Sequence, residues 1–298
     1  MPTVPHVARV LFIIVFLAGC NSGKEAVPVE DTPFTIDELE SRTFRWFWET
    51  NYPHYQVPDR YPTKRFSSIA ATGFGLTAYI VGAERNYVSR EEAAERVLNT
   101  LTALWNLPQG SDSTGVSGYK GLFYHFLTYE EATRYRNVEL STIDTGLLMA
   151  GVLSVQSYFD GDSQTEVKIR DLADKLFLRV EWDWTWRGEK DAMSMGWRPE
   201  RGWIPATWNG YNEAMVLLIM ALGSPTHPIP DEAWDNWCST YEWNVFEGQE
   251  HINFSPLFGH QYSHMYIDFR GIQDEYTKVK GIDYFENSRR ASLANRSY

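Results

Sequence analysis

Hydrophobic positions along the chain fall into two kinds of helical segment that alternate. Leu39 to Glu49, entered through Thr35-Ile-Asp-Glu38, reads as a helix behind a capping box. Ser67 to Glu84 is small and apolar nearly all round. Ser89-Arg-Glu-Glu92 is a second capping box, after which Ala93, Ala94, Val97, Leu98, Leu101, Leu104 and Trp105 share one face. Ser141 to Phe159 is again apolar on most sides. Ser163-Gln-Thr-Glu166 then opens a helix with Ile169, Leu172, Ala173, Leu176, Phe177 and Val180 on one stripe. Ala214 to Leu222 is hydrophobic without a break, and Gly223 and Pro225 stop it. Residues 231 to 241 look amphipathic, His264 to Gln273 mixed, and Asp283 to Tyr298 polar with an apolar stripe.

A helix that is hydrophobic all round has to be buried all round. One-faced helices outside and apolar helices inside satisfy that requirement. The pattern therefore predicts an all-α fold, two concentric rings of helices in an α/α toroid; a helical solenoid lacks the fixed sequence period it needs. Outer-to-inner links are long. Residues 107 to 140 carry Gly121 to Thr128 and Tyr135 to Leu140 as a β-hairpin, and residues 182 to 208 carry a second around Gly188. Inner-to-outer links such as Asp160-Gly-Asp are short. The insertions collect at the end where the inner helices begin, the usual place for function on a rigid scaffold.

The first residues alter the picture of where the domain works. Arg9, the apolar run Val10 to Leu17 and Leu17-Ala-Gly-Cys20 resemble a bacterial lipobox, too short to span a bilayer. The expected organisation is a signal peptide over 1–19, lipidation on Cys20, a polar tether over 20–33 and a helical domain over 34–298. The expected location is the bacterial cell envelope, with the membrane touched only through the anchor. With Cys20 acylated, Cys238 has no disulfide partner, and no paired-Cys or HExxH spacing supports zinc; neither a metal nor a cofactor is expected.

Net charge is −12 over 298 residues, which argues against nucleic acid or anionic lipid as a partner. Against that charge, 12 Trp, 17 Tyr and 16 Phe are many aromatics, as suits either a carbohydrate cleft or an aromatic core. Six of the tryptophans (Trp182, Trp184, Trp186, Trp197, Trp203 and Trp208) crowd the second insertion, where they read as a platform for sugar rings.

At that end of the fold, Asp144 starts one inner helix and Glu213 starts the next. Paired carboxylates are what glycoside hydrolysis needs, one as acid and the other as base or nucleophile. Each also has a plainer reading as an acid held at a helix N-terminus. Glu139, just before Asp144, and His260, His264 and Asp268, leading into a later inner helix, should converge there too. His264 and Asp268 are spaced for a structural hydrogen bond.

Trp208-Asn-Gly-Tyr-Asn-Glu-Ala-Met215, Ala221 to Pro228, Ser141 to Gly146, Gln261 to His264, Asp268 to Gln273 and Asp283 to Arg290 resemble the bacterial glucoamylase-like glycoside hydrolases that include endo-β-1,2-glucanases. The resemblance covers roughly residues 34 to 298. It implies an (α/α)6 barrel acting on a glucan oligo- or polysaccharide as a monomer, with Glu213 as catalytic acid and Asp144 as a second acidic site residue. Candidate substrate contacts are Tyr211, Trp208, Asn212, Glu139, His125, Trp203 and His264. A non-catalytic glycan-binding surface lipoprotein, or a transglycosylase of the same family, is the alternative. A closed barrel has about twelve helices and the pattern predicts about nine, so the C-terminal helices are expected to be missing.

Overall fold

The computed structural model describes residues 35–50, 53–60 and 65–298. The leader, Cys20 and the tether lie outside the described residues.

The predicted alternation is present. Helix α1 (Ile36–Glu49) is followed by strand β1 (Phe66–Ser68), α2 (Ile69–Glu84) and α3 (Arg90–Asn106). Strands β2 (Gly118–Tyr119), β3 (Leu122–Tyr124), β4 (Phe126–Thr128) and β5 (Leu140–Ser141) precede α4 (Thr142–Tyr158), and α5 (Gln164–Leu178) follows it. Strands β6 (Trp186–Arg187), β7 (Ala192–Met193), β8 (Gly196–Arg198) and β9 (Gly202–Trp203) precede α6 (Ala214–Leu222). After α7 (Ala233–Cys238) come β10 (Trp243–Phe246), β11 (Gln249–Ile252), α8 (Glu275–Lys280) and α9 (Tyr284–Ser297).

The inner layer is α2, α4 and α6, and α1, α3 and α5 pack outside it. Small residues let the inner helices touch. A Cβ on Gly73 of α2 would lie 2.6 Å from Leu148 Cα of α4, and one on Gly151 would lie 2.9 Å from Gly73 C, so the two backbones meet directly. Gly146 of α4 brings Leu217 of α6 within 3.1 Å of the same kind of position. On the outside, Phe44 of α1 fills the hollow left by Gly82. Ser89 and Glu92 form the full capping box of α3. Ser163 caps α5, but Glu166 turns away to bind Arg90 at 2.9 Å, tying α3 to α5.

Three expectations are corrected. The hairpin expected around Gly188 is present as β6 paired antiparallel with β7, Trp186 opposite Met193, but the two insertions are not independent: β2, β3, β5, β8 and β9 make one five-stranded antiparallel sheet. Its central register, Leu140 opposite Trp197 and Ser141 opposite Gly196, joins the first insertion to the second. Residues 264–273 form no α-helix; the chain runs through 3-10 turns at Leu257–His260 and Ser263–Met265, and the helix begins later, at Glu275. Trp105 is not on the buried face of α3; it stands 39% exposed, with the Arg179 guanidinium 4.9 Å over its ring.

Candidate functional site

The site is built where strands become helices. Strands β3 and β5 pair with Phe123 opposite Ser141, and the ladder continues one step as the His125 N–H donates to Glu139 O at 3.0 Å. Ser141 then ends β5 and caps α4, its Oγ accepting the Asp144 N–H at 3.2 Å and donating to Asp144 Oδ2. One short run thus places Glu139, Ser141 and Asp144 in fixed relation to His125.

The other carboxylate arrives through a tight turn. Gly210 has φ +69, a left-handed conformation that suits glycine, and its N–H donates to Thr240 Oγ1 at 2.6 Å. Asn212 Oδ1 accepts the Ala214 N–H at 3.0 Å, and Ser263 Oγ accepts that of Val216 at 3.1 Å. These two residues serve the free N–H groups of α6. Glu213 stands at the N-cap position but caps nothing with its carboxylate, and its Oε2 is buried without a partner among the described residues. The plainer reading, a capping acid, does not describe it.

The electrostatics separate the acids. Burial pushes Glu213 above the ordinary carboxylate range, and the Asp144 charge adds to that. Burial also raises Asp144, which is 6% exposed, while the His125 charge and the Ser141 hydroxyl pull it back. Glu139 is held down at about 2, first by its hydrogen bond from His125 and then, against burial, by the charges of His125 and Arg198. His125 Nδ1 lies 2.9 Å from Glu139 Oε1 and its Nε2 lies 3.5 Å from Asp144 Oδ1. Arg198, which the sequence did not single out, reaches Glu139 Oε2 at 3.3 Å because β8 pairs with β5.

The candidate substrate contacts divide. Tyr211 is 1% exposed and stacks on His260, Trp237 and Tyr284. Its hydroxyl lies 3.5 Å from Ser288 Oγ, and burial pushes its pKa up to about 12. Trp208 is buried and donates from Nε1 to Thr142 Oγ1 at 2.9 Å, fastening the approach to α6 onto the first turn of α4. Asn212 is buried and has both ends of its amide occupied. All three are largely buried inside the fold, and Tyr211 also lines the pocket beside the turn into α6. His264 is not paired with Asp268: its Nε2 meets Ser288 Oγ at 2.8 Å, and Asp268 forms an exposed pair with Arg270. His260 is buried with its pKa lowered to about 4, by burial first.

The tryptophans of the second insertion also divide. Trp182 and Trp208 are core residues. Trp203 and Trp197 pack against Trp184 with ring centres 4.3 and 5.5 Å apart, and Tyr119 joins them at 5.6 Å. Tyr262, in a block noted only for its resemblance, is close enough for the Glu213 charge to add to the effect of burial on its hydroxyl. A pocket of about 810 Å³ opens beside the turn into α6, between Asn209, Glu242, His251 and Asn295. Neither Asp144 nor Glu213 lines it, so the carboxylates, not this cavity, define the site. Among the described residues no group of three or more His, Cys, Asp and Glu side chains is placed to hold a metal ion.

Residues 205–298 match the family Glycoamylase, described as "Putative glucoamylase". A curated relative from Parabacteroides distasonis, an exo β-1,2-glucooligosaccharide sophorohydrolase acting at the non-reducing end, is 26% identical over 88% of this chain; the chain spans 39% of that relative's length. A solved "putative glucoamylase" of Bacteroides uniformis is 29% identical with a TM-score of 0.76, covering 88% of this chain and 66% of its own. An endo-β-1,2-glucanase of Chitinophaga pinensis, solved with sophorotriose and glucose, is 27% identical with a TM-score of 0.75, covering 87% of this chain and 65% of its own. With its two-layer helices and joined insertions, the chain is similar to the bacterial glucoamylase-like proteins over most of its own length and spans about two fifths of the curated relative and about two thirds of the solved ones.

Proposed function

We propose that this protein is a glycoside hydrolase acting on a β-glucan, with internal β-1,2 bonds as the preferred linkage. The observation that carries the reading is Glu213. A carboxyl with a buried, unpartnered oxygen and a raised pKa is suited to hold a proton and give it away. Glu213 protonates the glycosidic oxygen as the C1–O bond breaks. Asp144 takes a proton from the water whose oxygen bonds to C1. The half-buried rings of Trp184, Trp197 and Trp203 stack the glucan chain. The β-1,2 linkage is supported by the activities named for the sophorohydrolase and the C. pinensis glucanase. A capture protein without turnover would share the aromatic cluster but would give the unpartnered carboxyl no work.

The test is incubation with β-1,2-, β-1,3- and α-1,4-glucans, reading new reducing ends. Release from β-1,2-glucan is expected, and Glu213→Gln should lose about 10²–10⁴-fold in turnover while still binding the polymer. No release from any of the three removes the proposal. Release from α-1,4-glucan alone replaces its substrate.

A further inference from the structure

Two carboxyls at the starts of neighbouring helices would compete for one proton unless something distinguishes them. The distinguishing group is on the Asp144 side. The His125 ring lies against Phe126, centres 3.9 Å apart, and Phe126 against Phe66 at 4.8 Å, so its plane is set by packing. Its Nδ1 is taken by Glu139, whose other oxygen is held by Arg198, and Arg198 is itself fixed by Asn137 O at 3.1 Å. Only Nε2 is left to face the site, and it faces Asp144 Oδ1. The other oxygen of Asp144 is occupied by Ser141.

We infer that His125 is a positioning residue that, clamped by Glu139, presents Nε2–H to Asp144 and so decides which carboxyl is ionised: Asp144 as base, Glu213 as acid. This rests on the hydrolase reading above. The charged groups around the ring are Glu139 at the end of the first insertion, Asp144 on α4, Asp59 ahead of β1 and Arg198 through Glu139; Glu213 on α6 lies beyond Asp144. Burial works against a charged imidazole here, but the Glu139 hydrogen bond and the Asp144 and Glu139 charges outweigh it and hold the ring above its ordinary pKa. The same charge opposes the burial that raises Asp144.

The first measurement is ring titration by NMR, which needs no turnover. The His125 pKa should fall by about one unit in Asp144→Asn and again in Glu139→Gln. A ring that titrates unchanged in both variants overturns the inference even if glucan is hydrolysed. A ring that shifts as expected in a protein without turnover supports the clamp and removes only the hydrolase reading. The second measurement is the pH profile of His125→Gln. Without the positive charge the acid limb of kcat should move to higher pH by about one unit, with kcat down about tenfold and KM within about threefold. A raised KM with kcat and the limb intact would make His125 a substrate contact instead.

Discussion

Asn212 and Glu213 divide two jobs that one acid at a helix start could have done alone. The amide serves the helix N–H, and Oε2 of the carboxylate is left buried without a partner among the described residues. That has a cost in stability. Because the folded-state pKa of Glu213 is raised, the native protein holds a proton that the unfolded chain has already released above about 4.3. Stability therefore falls as pH rises from that value through the raised one, and stays lower above it. Glu213→Gln removes the titration, so at pH 7.5 the variant should be the more stable of the two, whereas at pH 4 they should nearly coincide. Thermal melts at the two pH values check this. An equal difference at both would mean that the ionised carboxylate is not the strained group. Tyr211 and Trp208 carry the opposite lesson. A tyrosine and a tryptophan flanking a candidate acid suggest contacts to substrate, yet burial and their hydrogen bonds give them to the core.

Elements are held at their distances by residues that lack side chains. Where α2 crosses α4, Gly73 and Gly151 leave backbone against backbone. Gly73→Ala would force its methyl group onto Leu147 and Leu148 main-chain atoms, which cannot move aside as a side chain could. The expected loss is about 2–3 kcal/mol in urea unfolding. Gly188→Ala, with no neighbour within 4 Å and no left-handed backbone, should stay within about 0.5 kcal/mol. Similar losses at the two positions would contradict the close crossing. The same economy operates at Gly196, where a Cβ would lie 2.9 Å from Glu139 Cγ; the bare position opposite Ser141 gives the Glu139 side chain its space.

At the scale of the whole molecule, α4 is the centre. It touches α2, α5, α6 and strand β3, and most of its residues are buried. The β10–β11 hairpin is peripheral, with Asn244 to Glu247 exposed and α9 as its support, through Asn287 Oδ1 on the Ile252 N–H. Native-state hydrogen exchange should therefore find the slowest amides in α4, opening only with global unfolding, and much faster ones in β10–β11. Faster exchange in α4 than in α5 would refute this hierarchy. Asp144 sits in the first turn of the most protected helix, as suits a group whose position must not drift.

The sequence by itself determined the layers. Apolar residues all round Ser141 to Phe159 and Ala214 to Leu222 could be satisfied only by burial on every side. Ser89 with Glu92 marked a helix start by local hydrogen bonding alone. It also determined that Asp144 and Glu213 begin successive inner helices, because helix starts and link lengths are local properties. What only the tertiary structure decided are relations between segments far apart in sequence. The pairing of β5 with β8 brings Arg198 to Glu139, since strand partners are chosen by register across a sheet and not by neighbours in the chain. The missing helix over 264–273 is of the same kind: a helical pattern was overridden where Ser263 and Ser288 draw the turns against α6 and α9. So too with the histidine between two carboxylates. Its type and position could be read from the sequence, but the direction of its Nε2 came from a sheet, a packed phenylalanine and a helix cap acting together.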